Sequence, residues 1–149
     1  MFEIDKSLNN VQWYGRGPHE NYIDRKTSAL IGLYQQDVAS QTLPFIRPCE
    51  CGCHEDVRWV RLLDSNGYGL MFSSSEAFHF SARCYSDVQL ASVRHFEELP
   101  ATGSIFLNID HRHAGLGGDD GWTPNLRAEY RIPTGYYQYG LSFQPYQET

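Results

Sequence analysis

Strict alternation of apolar and polar residues is the feature of this sequence that most restricts its fold. Phe78, Phe80, Ala82 and Cys84 fall on one face of an extended run while His79, Ser81 and Arg83 fall on the other. That period of two fits a strand with one buried face and does not fit a helix. Ile105, Leu107 and Ile109 repeat the pattern against Asn108 and Asp110, and Tyr137, Tyr139, Leu141 and Phe143 repeat it across residues 136–143. The turn chemistry agrees. Asp64-Ser65-Asn66-Gly67 lies between the strand-like runs 57–63 and 68–72, and Pro133-Thr134-Gly135 is read as the turn between the last two strands. These signals predict an all-β antiparallel β-sandwich. Aromatic residues make up 14% of the chain, a bias shared by antiparallel sheets and by surfaces that stack on flat sugar rings. One short crossover helix is predicted, because Ser86-Asp87-Val88-Gln89 has the form of a capping box and Leu90, Val93 and Phe96 or Glu97 follow at helical spacing before Pro100.

The 149 residues suit one domain with length enough to bury a core. Eighteen acids against 12 bases give a net charge of −6, and ten of the bases are Arg scattered from Arg16 to Arg131. A chain without a basic patch is a poor ligand for nucleic acid or anionic lipid. No apolar run approaches the roughly 20 residues of a membrane span, and residues 1–10 lack a charged-then-apolar export signal. A cytoplasmic location is therefore expected.

Cys49, Cys51, Cys53 and His54 invite a metal reading. In an extended chain alternate residues lie roughly 6.6 Å apart, which sets Cys49 and Cys53 about 13 Å from each other. One tetrahedral ion with bonds of about 2.3 Å does not span that distance. A tight turn at Gly52 is the arrangement that rescues the site; without it the thiols are incidental, and no metal site is expected. His111 and His113 stand at i, i+2 without a third ligand, which is a weak signal.

Two stretches are denser than mere connections require. Residues 13–25 compress glycines, a proline and five ionisable groups into a loop in which Arg16 or Arg25 is expected to pair with Glu20 or Asp24. Residues 111–124 place Trp122 on a glycine-rich tip beside Asp119 and Asp120. An exposed Trp there is costly unless it has a partner. Glu20, Glu50, Asp119 and Asp120 are candidate carboxylates for glycoside hydrolysis by type alone. Adjacent aspartates on a loop more often cap backbone amides, so no catalytic pair is assigned. No nucleophile elbow, phosphate loop or dinucleotide fingerprint occurs.

Residues 13–25, read as W-x-G-x-G-P-x-E-x-Y-x-D-R, together with Leu107-Asn108-Ile109-Asp110 and Gly117-Gly118-Asp119-Asp120-Gly121-Trp122-Thr123-Pro124, closely resemble the C-terminal β-sandwich domain of the large bacterial β-galactosidases of glycoside hydrolase family two. Arg47-Pro48, Glu50, Gly52 and Asp56-Val57-Arg58-Trp59 match the motif between them. The resemblance covers nearly the whole chain and corresponds to about the second half of the family's domain. It implies a galactose-mutarotase-like supersandwich, of which residues 1–149 are about half. It also implies catalytic glutamates, with Mg and Na, in a separate barrel domain, so no cofactor is expected in this chain. The implied chemistry is retaining hydrolysis of β-galactosides. Trp122 carries over as an apolar platform for substrate, with Asp119, Asp120, Arg16, Glu20, Asp24 and Arg25 as loop support. The implied partners are a β-galactoside and the remaining domains or large subunit, and exposed strand edges favour self-association. Cys49, Cys51 and Cys53 stand where the family shows mostly amides. Two alternatives remain beside this reading: a free-standing carbohydrate-binding module stacking sugar on Trp122, Tyr14 and Tyr22, and a sugar epimerase of mutarotase type.

Overall fold

A computed structural model describes residues 1–100, 102–118, 122–123 and 125–148. Seven strands form one antiparallel sheet: β1 (Phe2–Asp5), β2 (Asn10–Gly17), β3 (Leu30–Asp37), β4 (His54–Leu63), β5 (Tyr68–Arg83), β6 (Ser104–Asp110) and β7 (Ser142–Gln147). Their order is β1-β6-β5-β4-β2-β3, and β7 also pairs with β5. The 16-residue β5 organises the sheet. One of its edges takes β4 from Gly69 to Phe80, while the other is shared between β7 at Tyr68–Ser73 and β6 at His79–Arg83. The β4–β5 hairpin turns where expected, with Asp64 Oδ1 accepting from the Asn66 and Tyr68 amides.

The sheet folds over its own core, which makes this all-β chain a sandwich. Asp37 and Val38, at the end of β3, line the same crevice as Cys84, Thr102 and Ile105 beside β6. Four strand spacings would hold these groups about 19 Å apart in a flat sheet. The enclosed cluster joins Ile4, Trp13, Val57, Val60, Leu62, Phe72, Phe80, Ile105 and Leu107 with their neighbours. The apolar side of the alternation read at 78–84 and 105–109 is this buried face, but the other side is not open as expected: Ser81 and Arg83 are buried too, with Arg83 held by the Cys51 carbonyl and Asp87.

Three local expectations differ from the structure. Residues 136–141 are not a strand; pairing to β5 begins only at Ser142. Their alternation reflects ring packing instead, with Tyr139 stacked on His111 at 4.8 Å and Arg112 lying 5.1 Å over the Tyr137 ring. Pro133–Gly135 consequently sits inside a long connection and not in a hairpin. The helix α1 spans only Asp87–Ser92. Its capping box is present, yet Val93 is extended, and the Arg94 and His95 amides donate to Glu98 Oε2 in a separate 3-10 turn. It links antiparallel neighbours β5 and β6. Finally, Trp13–Gly17 belongs to β2, so the first dense loop starts at Pro18. Among the described residues no helix is long and apolar enough to cross a membrane.

Trp13 anchors the core through its indole N–H, which donates to the Arg16 carbonyl at 2.9 Å. His54 lies between Trp13 and Phe80, with ring centroids 4.3 and 5.1 Å away. Burial pushes its imidazole from the ordinary 6.5 down to about 3, outweighing the Arg16 carbonyl 3.2 Å from Nδ1 that favours charge. The neutral ring donates from Nε2 to Gln41 Oε1 at 2.6 Å. Between those two pKa values the unfolded chain holds a proton that the native state lacks. Stability is therefore full above pH 6.5 and falls as acid is added, by up to about 1.4 kcal/mol per pH unit. Urea midpoints should drop between pH 7 and pH 5, and His54→Gln should flatten that slope. An unchanged slope in the variant would assign the acid lability elsewhere.

Candidate functional site

A β-bulge builds the site. His54 pairs with Phe80 and Val57 with Phe78, so the single residue His79 opposes both Glu55 and Asp56. Asp56 takes the extra step with φ 53, a conformation that polar short side chains tolerate better than others. The two carboxylates share Lys26 but differ in their other partners. Asp56 Oδ2 meets Arg16 Nε at 2.5 Å and Lys26 Nζ at 3.2 Å. Burial works against its charge, but these two cations hold the carboxyl below its ordinary 3.8. Glu55 turns toward His79, with Oε1 2.5 Å from Nδ1, while its Oε2 accepts from Lys26 at 3.2 Å.

The loop after β2 locks onto the run of cysteines. The Asn21 amide donates to the Cys53 carbonyl at 2.8 Å, and Asn21 Oδ1 accepts from the Glu55 amide at 2.9 Å. Glu20 accepts from Arg25 at 2.8 Å and from the Gly52 amide at 2.9 Å. Gly52 turns the chain at φ +73, where an added Cβ would lie 2.4 Å from the Gln41 carbonyl oxygen. Tyr22 is buried and donates to Glu50 Oε2 at 2.9 Å. Burial, reinforced by Glu50 and Glu20, pushes its phenol far up.

The two dense stretches meet. Asp24 Oδ2 accepts from the Gly117 amide at 2.8 Å, and His113 packs on Tyr22 with ring centroids 5.5 Å apart. Gly117 sits at φ +76. A cleft of about 810 Å³ opens beneath this junction, lined by Lys26, Glu55, Asp56, His79, His111 and the segment 128–133. Beyond the tethered stem, Trp122 is 93% exposed.

Of the residues singled out in the sequence, Glu20 and Arg25 form the expected pair, while Arg16 reaches across to Asp56 and Asp24 holds backbone. Asp119 and Asp120 lie outside the described residues. Cys53 and His54 point to opposite faces: the thiol toward Glu55 and His79, the imidazole into the core. All four cysteines are free thiols, and burial raises the pKa of each. His111 and His113 do not act together: His111 Nε2 lies 3.7 Å from Glu76, and His113 Nδ1 lies 2.6 Å from the Ala114 carbonyl. Sequence reasoning missed Lys26, Glu55 and His79 as a group, because strand pairing sets Glu55 against His79 and the loop after β2 carries Lys26 to them.

A model of the β-galactosidase small chain matches residues 1–143. The chain belongs to the β-galactosidase small-chain family. It is 36% identical to a β-galactosidase of Priestia megaterium over 132 residues, which cover 89% of this chain and 13% of that protein. It is 38% identical to one of Vibrio cholerae over 136 residues, covering 91% and 13%, and 40% identical to one of Aeromonas hydrophila over 136 residues, again 91% and 13%. The small-chain domain thus spans about one eighth of the length of the curated relatives it matches. In this small-chain domain the glycine-rich segment is fastened by a carboxylate–amide hydrogen bond, and bonds to charged groups contribute about 1.5–3 kcal/mol. Asp24→Ala should raise hydrogen exchange at Gly117 by about tenfold or more. The urea midpoint, governed by the core, should move little. Unchanged exchange over residues 115–118, followed by mass spectrometry, would show that something else protects the amide.

Proposed function

We propose that this domain works as part of a β-galactosidase that hydrolyses terminal β-D-galactosides. In this reading it contributes Trp122 as an aromatic wall for substrate and none of the catalytic glutamates. The observation that carries the proposal is an indole 93% exposed on a segment whose stem is tied to the domain through Asp24 and Gly117. An indole exposed to this degree suits a partner with a flat apolar face, and the C–H face of a sugar ring is such a partner. The carboxylates suit bracing: Asp56 in the cleft wall is held by Arg16 and Lys26, and Glu20 in the loop after β2 by Arg25 and the Gly52 amide. General acid and nucleophile then come from the barrel of the parent enzyme, which cleaves with retention through a glycosyl-enzyme intermediate. Leu30, Ile31 and Leu33 are exposed on the edge strand β3, Ile31 and Leu33 on one face and Leu30 on the other, and this edge is the one we assign to the remaining domains, or to a second copy when the chain is alone.

A free-standing carbohydrate-binding module is supported less well. Its platform of Trp122, Tyr14 and Tyr22 loses a member, since Tyr22 is 1% exposed and its hydroxyl is bonded to Glu50.

Stacking on Trp122 contributes on the order of 1–3 kcal/mol to ground-state and leaving-group binding. In the full-length enzyme, Trp122→Ala should raise KM for a disaccharide about tenfold or more and affect cleavage of an activated galactoside less. Unchanged disaccharide KM and unchanged product inhibition by glucose would make Trp122 a mere surface residue. The 149-residue chain alone should not hydrolyse a chromogenic galactoside. Turnover that co-purifies with the monomer and disappears in Asp119→Asn or Asp120→Asn would overturn the non-catalytic assignment.

A further inference from the structure

We infer that Cys53, Glu55 and His79 form a binding site for a zinc-class divalent cation in the wall of the cleft. Each offers one ligand atom, and the Sγ, carboxylate oxygen and ring nitrogen all lie within 4.8 Å of one another. This is the one such group among the described residues. Strand pairing creates it. Cys53 and Glu55, two residues apart at the N-terminal end of β4, share a face, and the pairing of His54 with Phe80 sets Glu55 opposite His79 on β5.

Two further observations point to a cation. Glu55, with its side chain 1% exposed, and His79 bring Oε1 and Nδ1 to 2.5 Å, an ion-pair distance, without hydrogen-bond geometry between them or to any other described residue. Buried polar atoms left this way are costly, and a shared cation satisfies both lone pairs at once. The second is the support around them. Lys26 holds the other carboxylate oxygen at 3.2 Å, which leaves Oε1 free to ligate. Asn21 bonds the main chain of both Cys53 and Glu55, fixing the two ligands on one short piece of backbone.

The donor set selects the ion. One sulfur, one imidazole nitrogen and one carboxylate oxygen suit zinc or cobalt and not magnesium or calcium, which take oxygen. A thiolate and a carboxylate neutralise two positive charges, so the buried site carries no net charge once Cys53 has passed its proton to solvent. Tetrahedral bonds of about 2.0 Å set neighbouring N and O ligands about 3.3 Å apart, so Oε1 and Nδ1 separate by less than about 1 Å on binding. Glu55 and His79 line the cleft and Cys53 does not, so the fourth position opens to water on the cleft side. Of the cysteine run weighed in the sequence, only Cys53 takes part. The site is independent of the role assigned to Trp122.

The test uses the full chain, stripped with chelator, dialysed and titrated with Co²⁺. One equivalent should bind with a thiolate-to-cobalt charge-transfer band, and one equivalent of Zn²⁺ should displace it. Cys53→Ser should lose the band, Cys49→Ser should keep it, and His79→Gln should bind at least about tenfold more weakly. Circular dichroism checks that each variant folds. If Cys53→Ser does not fold, the partly exposed His79 carries the test. The proposal is overturned by folded chain without a band, by a band that survives Cys53→Ser or vanishes in Cys49→Ser, or by unaltered affinity in His79→Gln.

Discussion

One extra residue in β4 is the constraint on which the functional end of the molecule depends. Without the bulge, strict pairing with β5 would continue the alternation set by His54 and Phe80, and Glu55 and Asp56 would simply take opposite faces. The φ of 53 at Asp56 breaks that rule. Asp56 then joins Arg16 of β2 and Lys26 of the following loop, while Glu55 is left beside His79. Three segments distant in sequence are thereby fastened to one irregular point of the β4–β5 pairing, which shifts register again between Val57 and Trp59.

The strain of that irregularity is offset by backbone satisfaction from a single neighbour. Asn21 accepts the Glu55 amide and donates its own amide to the Cys53 carbonyl, taking the place of a ladder partner. Glu20 does the same for the Gly52 amide. The dense loop after β2 therefore behaves as a substitute strand edge, and its polar residues are buried because they hydrogen-bond main chain.

Signals that act over a few residues were legible in the sequence. The apolar faces at 78–84 and 105–109, the turn at 64–67 and the capping box at Ser86 depend on near neighbours and are present in the structure, but the opposite face of β5 is covered as well, since Ser81 and Arg83 are buried. Tyr137, Tyr139 and Leu141 show the limit of that logic. Their period of two is genuine, but a strand needs a partner edge, and β5 offers β7 one only from Ser142 onward. A bulge is equally invisible in a linear pattern, since one residue facing two is a property of the pair. Glu55 reads as an ordinary polar residue beside Asp56 until His79 is set opposite. The pairing of Arg16 with Asp56, 40 residues away, similarly needed the fold rather than the motif that contains Arg16.

Asp24 grips the glycine-rich segment by its main chain. The bond is to main chain, so residue 117 is constrained by its φ of +76 and not by the identity of a bonding side chain. Only Asp24 contributes a side chain to this contact. In evolutionary terms the attachment has a single point of failure: a change at Asp24 releases Gly117, whereas any change elsewhere that preserves the backbone path keeps it.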